Sequence, residues 1–380
     1  MRVAVTTLAF CVTSLLALGL VMLYSSSMTQ VGAHYLMMQL LWCALGFVFC
    51  VVAASLDYQI LKKNAWPLFI LSVLLLVLVL VPHVGLKING ARRWFDFHGV
   101  RFQPSELGKI ALIIALAWYG DRFQRRMKTF KWGICGPILI IASVLSLIFV
   151  EPDRGTTILL AAVSGSILLL AGVQWKFIVP PVILAIAGLV VSIIHDPMRM
   201  KRIFSWLDLE TNKDGVGYQA YQAMIALGSG GWNGLGLGNG RQKLGFVPEH
   251  HTDFIFSIIG EELGLVTTLL VVIAFVVIAI CGIYIALHSR DTFGMLLATG
   301  ITLLISLQAA INIGVVTSAL PNKGLPLPFI SYGGSNMLAM LTCVGILLSV
   351  ARQADPLKIS ASDMAPDAVP VKNPFAAKAT

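Results

Sequence analysis

One carboxylate stands where a long polar stretch turns apolar. It is Asp253, at the end of Arg241-Gln242-Lys243-Leu244-Gly245-Phe246-Val247-Pro248-Glu249-His250-His251-Thr252-Asp253, followed by Phe254-Ile255-Phe256. An acid at such a boundary sits in a partly dehydrated cleft, where a general base for a hydroxyl group is useful. The plainer alternative is that Asp253 only caps the helix that follows. Cations gather elsewhere. Lys87, Arg92, Arg93 and Arg101 crowd a short loop that also holds Trp94, and guanidinium groups grip phosphate oxygens bidentately. The same cations would also suit lipid headgroups. Just beyond, Pro104 suits the first turn of a helix, which puts Glu106 and Lys109 on one face. In Glu151-Pro152-Asp153-Arg154-Gly155-Thr156-Thr157 a proline, a glycine and charges break an apolar stretch, giving either a tight hairpin or a turn whose Asp153 or Arg154 faces substrate. The segment from Leu320 to Ser335, rich in proline and glycine, offers the hydroxyls of Ser331, Tyr332 and Ser335 to a cavity, or is a purely structural re-entrant turn.

The elements that hold these residues are set by composition. The chain has 380 residues, of which 57% are hydrophobic and only 12% charged, against about 25% charged in a soluble domain. With a mean hydropathy of +0.86, no water-soluble fold could hide its apolar surface. Apolar runs of about 20 residues recur along nearly the whole chain, so the fold class is an all-α polytopic membrane protein of about ten transmembrane helices. The runs fall near 3–24, 34–54, 66–82, 104–119, 133–150, 156–173, 178–194, 263–287, 294–318 and 334–351. The first is a span rather than a signal peptide, since it is long and a polytopic chain follows it.

This threading puts both termini on one side, together with Lys62, Lys63, Arg122, Arg125, Arg126, Lys128, Lys131, Lys176, Arg290 and Arg352. The positive-inside rule makes that side cytoplasmic. The loops near 83–103, 151–155, 195–253 and 319–333 then face outward, and the cations around Arg92 break the expected charge bias. Glu106 and Lys109 fall just inside the membrane, where lone charges are costly, so they pair or line a wet cavity. Residues 1–352 form the membrane domain, with 195–253 as a long extracytoplasmic loop, and 353–380 read as a disordered cytoplasmic tail. A net charge of +9 without a soluble basic domain excludes nucleic acid and points to membrane lipids or an anionic substrate. The six cysteines lie in or beside apolar runs without metal-ligand spacing and read as small buried hydrophobes.

Three look-alikes fail on their own terms. His251-x-Asp253 lacks a second well-separated histidine for a non-haem iron site. The glycine run from Gly234 to Gly240 has no Gly-Lys-Ser/Thr ending and no preceding strand, so it reads as a flexible outward loop rather than a phosphate loop. Gly260-Glu261-Glu262-Leu263-Gly264 has the spacing of close helix packing, with its acids lining a cavity or meeting loop cations.

Taken in order, the motifs resemble one family. Asn89-Gly90 with Arg92-Arg93-Trp94, Gln103-Pro104-Ser105-Glu106, Pro152-Asp153 with Gly155-Thr156, Gly217-Tyr218-Gln219, Gly228-Ser229-Gly230-Gly231, Pro248-Glu249 with His251-Thr252-Asp253-Phe254, and Ser331-Tyr332-Gly333-Gly334-Ser335 match the SEDS (shape, elongation, division, sporulation) family from the first span to about Arg352. Gly236-Leu237-Gly238 before Arg241-Gln242-Lys243-Leu244, and Gln308 to Gly314 ahead of Leu320-Pro321, look more like its division branch than its elongation branch. The departures are Arg154 where a hydrophobic residue is common, Ala223 where a serine is common, and Asn336 where a second serine is common.

The resemblance implies a peptidoglycan glycosyltransferase that polymerises lipid II, acting on undecaprenyl-pyrophosphate-linked glycan. It implies a class B penicillin-binding transpeptidase and other division proteins as partners, at the septum of the bacterial inner membrane. The family's essential acid falls on Asp253 and its polar fourth-helix pair on Glu106 and Lys109. Substrate contacts are expected from Arg92, Arg93, Glu106, Lys109, Asp153, Arg241, Lys243, Glu249, His251, Ser331 and Ser335. A divalent cation, Mg²⁺ or Mn²⁺, is the expected cofactor, with no organic cofactor. A flippase for lipid-linked precursors and a non-catalytic division scaffold are the rival readings; concentration of the motifs on one face disfavours the first, and a dispensable Asp253 would mark the second.

Overall fold

The computed structural model describes residues 1–27, 32, 34–88, 91–97, 100–247 and 251–354. The tail from 355 onward, Asn89-Gly90 and Pro248-Glu249-His250 lie outside the described residues.

Helices dominate: α1 (Arg2–Ser27), α2 (His34–Ser55), α3 (Gln59–Lys63), α4 (Ala65–Leu80), α5 (Pro104–Arg122), α6 (Gly136–Val150), α7 (Arg154–Leu170) and α8 (Trp175–Ile194). They continue through α9 (Pro197–Leu207), α10 (Tyr218–Ser229), α11 (Ile255–Leu287), α12 (Thr292–Val316) and α13 (Gly334–Arg352). Among the described residues seven helical stretches are long and apolar enough to cross a membrane, and α4 and α7 are shorter apolar helices. The remaining candidate of the expected ten is α5, whose Glu106, Lys109, Asp121 and Arg122 lower its hydropathy.

That difference decides where α5 sits. It is buried along nearly its whole length, packed by α4, α6, α7 and α12, because a helix bearing charges is tolerated at membrane depth only where protein surrounds it. The reverse holds for α8. Apolar all round and carrying Pro180 and Pro181, it buries only Ile178 and packs against α9 and the π-helical turn Lys131–Cys135 that leads into α6. Elsewhere α2 lies along α13, α1 along α11, and α11 along α12.

Side-chain contacts fix the two ends of the bundle. At one end Lys62 meets Asp121 at 2.8 Å, Tyr58 Oη donates to Asp291 Oδ1 at 2.7 Å, and Arg352 donates to Ser55 O at 2.7 Å. This is the end that holds the cationic loops. At the opposite end lie elements that the apolar pattern did not announce. The first loop forms a three-stranded antiparallel sheet, β1 (Leu86–Ile88), β2 (Ala91–Phe97) and β3 (Val100–Phe102), an addition to the all-α expectation. The long segment contains α9 and α10, and the helix expected from residue 263 begins at Ile255.

α11 is also interrupted. Gly264 has φ 78 and ψ −176, and a β-carbon there would collide with Gly234 N and Trp232 O. Only glycine fits where these backbones touch. The run Gly234 to Gly240, expected to be flexible, is clasped onto this break. Leu235 N and Gly236 N donate to Glu261 O and Glu262 O at 3.0 Å each, and Gly238 N donates to Glu262 Oε2 at 3.0 Å.

Candidate active site

Asp253 lies in the turn that leads into α11, half-buried, and two neighbouring polar side chains hold its backbone. Asn312 Nδ2 on α12 donates to Asp253 O at 2.8 Å and to Leu325 O at 2.7 Å. Ser331 Oγ donates to Thr252 O at 2.6 Å and accepts from Leu327 N at 2.8 Å. The same loop is tied to α2, where Gln39 Nε2 donates to Ser331 O at 3.2 Å. The carboxylate itself lies over Gly324, where a β-carbon would come within 2.5 Å of Asp253 Oδ2. A side chain at this position would displace the carboxylate, so the bare glycine backbone lets loop and acid lie side by side. His251 flanks the turn, its ring stacked on Tyr35 at 4.7 Å and its carbonyl accepting from Tyr332 N at 3.0 Å.

A second polar cluster lies deeper. Lys109 Nζ is 2.8 Å from Glu106 Oε2 and donates to Gln308 Oε1 at 3.1 Å. Lys109 is 1% exposed and Glu106 5%, so the charges are held by protein alone. Gln308 Nε2 in turn donates to Pro326 O at 2.9 Å and Asn336 Oδ1 at 3.0 Å. Ser335 accepts from Gln103 N at 3.0 Å and donates to Arg101 O at 3.2 Å. The Glu106–Lys109 pair therefore supports the loop that contacts Asp253, through one amide of α12.

The turn between α6 and α7 forms the third group. Asp153 caps α7, its carboxylate accepting from Thr156 N at 3.1 Å and Thr156 Oγ1 at 2.9 Å. Arg93 Nε donates to Glu151 O at 2.6 Å. Burial, then the charge of Asp153, push the Glu151 carboxyl up to about 8 against the pull of Arg93. Lys323, on the loop beside Gly324, is pushed below its usual range by burial and by Arg154, with Asp153 opposing.

Lys243, expected to touch substrate, is drawn inward. Its Nζ is 2.6 Å from Glu262 Oε1 and also donates to Ser25 Oγ at 3.0 Å and Gly238 O at 2.8 Å. Arg241 stays exposed while its backbone N–H donates to Glu261 Oε1 at 2.7 Å. Arg92 is half-buried on β2. Glu249 lies outside the described residues. Among the described residues no group of three His, Cys, Asp or Glu side chains could hold a metal ion.

The sequence reading missed Gln39, and saw Gln308, Asn312 and Lys323 only as members of longer motifs. A usable signal existed: Gln308 and Asn312 are polar residues four apart inside an apolar run, hence on one face of α12.

Comparison with known proteins bears on this arrangement. The model of the FtsW/RodA/SpoVE cell cycle protein family matches residues 6–355. The chain belongs to that family. A relative from Trichlorobacter lovleyi, named a probable peptidoglycan glycosyltransferase FtsW, is 40% identical over 346 residues, covering 90% of this chain and 91% of its own. One of the same name from Coxiella burnetii is 38% identical over 358 residues, covering 92% and 96%. Among solved structures, a chain of a peptidoglycan synthase complex that coordinates polymerization and crosslinking superposes with a TM-score of 0.78 at 29% identity, covering 92% of this chain and 98% of that one. The rod shape determining protein RodA of Thermus thermophilus gives 0.68 at 27% identity, covering 91% and 96%. FtsW/RodA/SpoVE membership accounts for the polytopic helical fold and for the order of motifs around Asp253.

Proposed function

We propose that this protein is a peptidoglycan glycosyltransferase that polymerises lipid II at the outer face of the cytoplasmic membrane during cell division, with Asp253 as general base. The observation that carries the assignment of the base is the fixed Asp253 turn. Asn312 and Ser331 hold its backbone, and the glycine of a close-packed loop lies against its carboxylate. Such pre-positioning is what a proton acceptor needs. The names of the relatives agree with this reading.

Asp253 takes the proton from the C4 hydroxyl of the acceptor N-acetylglucosamine while that oxygen attacks the anomeric carbon of the donor. The new β-1,4 bond forms as the bond to the α-linked pyrophosphate breaks, so configuration inverts. The departing group is a polyprenyl pyrophosphate, and cations of the outer face stabilise its charge. Arg92 and Arg241 are among the cations free to make that contact, whereas Arg93 and Lys243 act through the framework they hold. Any Mg²⁺ or Mn²⁺ would enter with the pyrophosphate. A class B penicillin-binding transpeptidase is the expected partner, in keeping with the synthase complex among the structural neighbours. Both termini are assigned to the cytoplasm on the charge of the loops at their end.

A positioned base is worth about 10²–10⁴-fold in rate. Asp253→Asn should lower polymerisation of labelled lipid II by at least about 10² while the protein reaches the membrane at its usual level. Wild-type glycan length and rate from the purified Asn variant would remove Asp253 from the mechanism.

A further inference from the structure

Arg154 is a charged residue at the outer end of the bundle that the arrangement above leaves without an assigned task. It opens α7, with its guanidinium carbon 4.5 Å from the Phe149 ring centre, and its Nε and Nη1 are enclosed with no hydrogen-bond acceptor among the described residues. An enclosed guanidinium nitrogen without an acceptor is costly, so the position calls for an acceptor from elsewhere.

The acids around it are already committed. Asp153 is held by Thr156 as the cap of α7. Asp196 is paired with Arg199 at 3.0 Å. Glu151 is fully buried, and both its oxygens lack hydrogen-bond partners among the described residues; with its carboxyl at about 8 it is largely protonated at neutral pH and adds little negative charge. Lys323 brings a second cation, and Arg154 is among the charges that depress its ammonium. Positive charge is therefore in excess at the outer end of α7.

The location is specific. Gly155, next to Arg154, packs against Leu325, where a β-carbon would meet Leu325 Cγ at 3.0 Å, and Gly324 lies against Asp253. The short stretch Lys323-Gly324-Leu325 thus separates Arg154 from the proposed base.

We propose that Arg154 and Lys323 form an anion subsite that takes the pyrophosphate of the polyprenyl-linked substrate, with Arg154 supplying a planar fork of donors and Lys323 a point charge. The proposal rests on the glycosyltransferase reading of the Asp253 site. It gives Arg154 a role in affinity for the lipid-linked pyrophosphate rather than in proton transfer.

The test uses the full-length protein in nanodiscs, with undecaprenyl pyrophosphate and phosphatidylglycerol as separate probes in native mass spectrometry, and lipid II polymerisation measured in parallel. Arg154→Leu removes the guanidinium and keeps an apolar side chain beside the Phe149 ring, so it should fold. It should weaken undecaprenyl pyrophosphate binding about tenfold, the scale of one lost charge-assisted contact. Phosphatidylglycerol binding should stay unchanged, and KM for lipid II should rise with kcat altered less than about twofold. Arg154→Lys should recover part of the affinity, and Lys323→Ala should lose a similar share. Wild-type affinity for undecaprenyl pyrophosphate in Arg154→Leu would overturn the proposal, as would a loss confined to phosphatidylglycerol. A wild-type protein that binds the pyrophosphate through Arg154 yet forms no glycan would keep the subsite and refute the polymerase reading.

Discussion

Glu151 shows how one buried side chain can set the response of the whole protein to pH. It is fully buried, and its carboxyl is raised to about 8 from 4.5, first by burial and then by Asp153. The folded protein keeps a proton that the unfolded chain releases above its ordinary carboxylate range, so this group favours folding at acidic pH and its contribution is lost as pH rises through about 8. The melting temperature in detergent should therefore fall between pH about 5 and about 8, and Glu151→Gln should flatten that fall. A wild-type slope retained in the Gln variant would assign the pH response to another group. Residue-scale chemistry was only partly legible in advance. Asp253 could be picked out because the pattern switches from polar to apolar at that point. Lys243 could not be placed, because Glu262 and Ser25, which draw it inward, come from distant segments that no local window contains.

Among the elements, α11 depends on a break. Gly264 lets the helix leave its regular path where Gly234 and Trp232 press against it, and Glu261 and Glu262 then satisfy the N–H groups of the clasped glycine loop. Gly264→Ala would put a β-carbon into neighbouring backbone at positive φ, costing about 2 kcal/mol or more. Thermal unfolding should shift down accordingly, and limited proteolysis should cut between Gly234 and Gly240, where wild type resists. Resistance equal to wild type would mean the clasp does not need that glycine. The helices could be read from apolar runs because the bilayer demands their length. The sheet at residues 86–102 could not, since its strands span only 3, 7 and 3 residues and cationic side chains hide their alternation.

The molecule as a whole separates its polar chemistry by face. One end carries the cationic loops and the Lys62–Asp121 pair, the other the Asp253 turn, the sheet and the clasp. The assignment of these ends to the cell's two sides comes from charge bias alone. Single cysteines on a cysteine-free background give the check: a thiol at Thr252 should react with an impermeant maleimide in intact cells, and one at Arg125 only after permeabilisation. The opposite labelling pattern would invert the topology and leave Asp253 on the wrong side for a periplasmic polymer. Burial of α5 and exposure of α8 follow from the same solvent logic, in which charged sequence goes to the centre and uniformly apolar sequence to the rim.

The chain from Ser318 to Gly333 is fastened at short intervals: to Trp206 by Ser318, to Gln219 by Asn322, to Asn312 by Leu325, to Gln308 by Pro326, and to Gln39 by Ser331 and Gly333. These fasteners come from four different helices, so the stretch behaves like a ruler rather than a tether. Adding or deleting a single residue there would put every later anchor out of step with its partner, and natural variation in this stretch should proceed by substitution, with its length held constant.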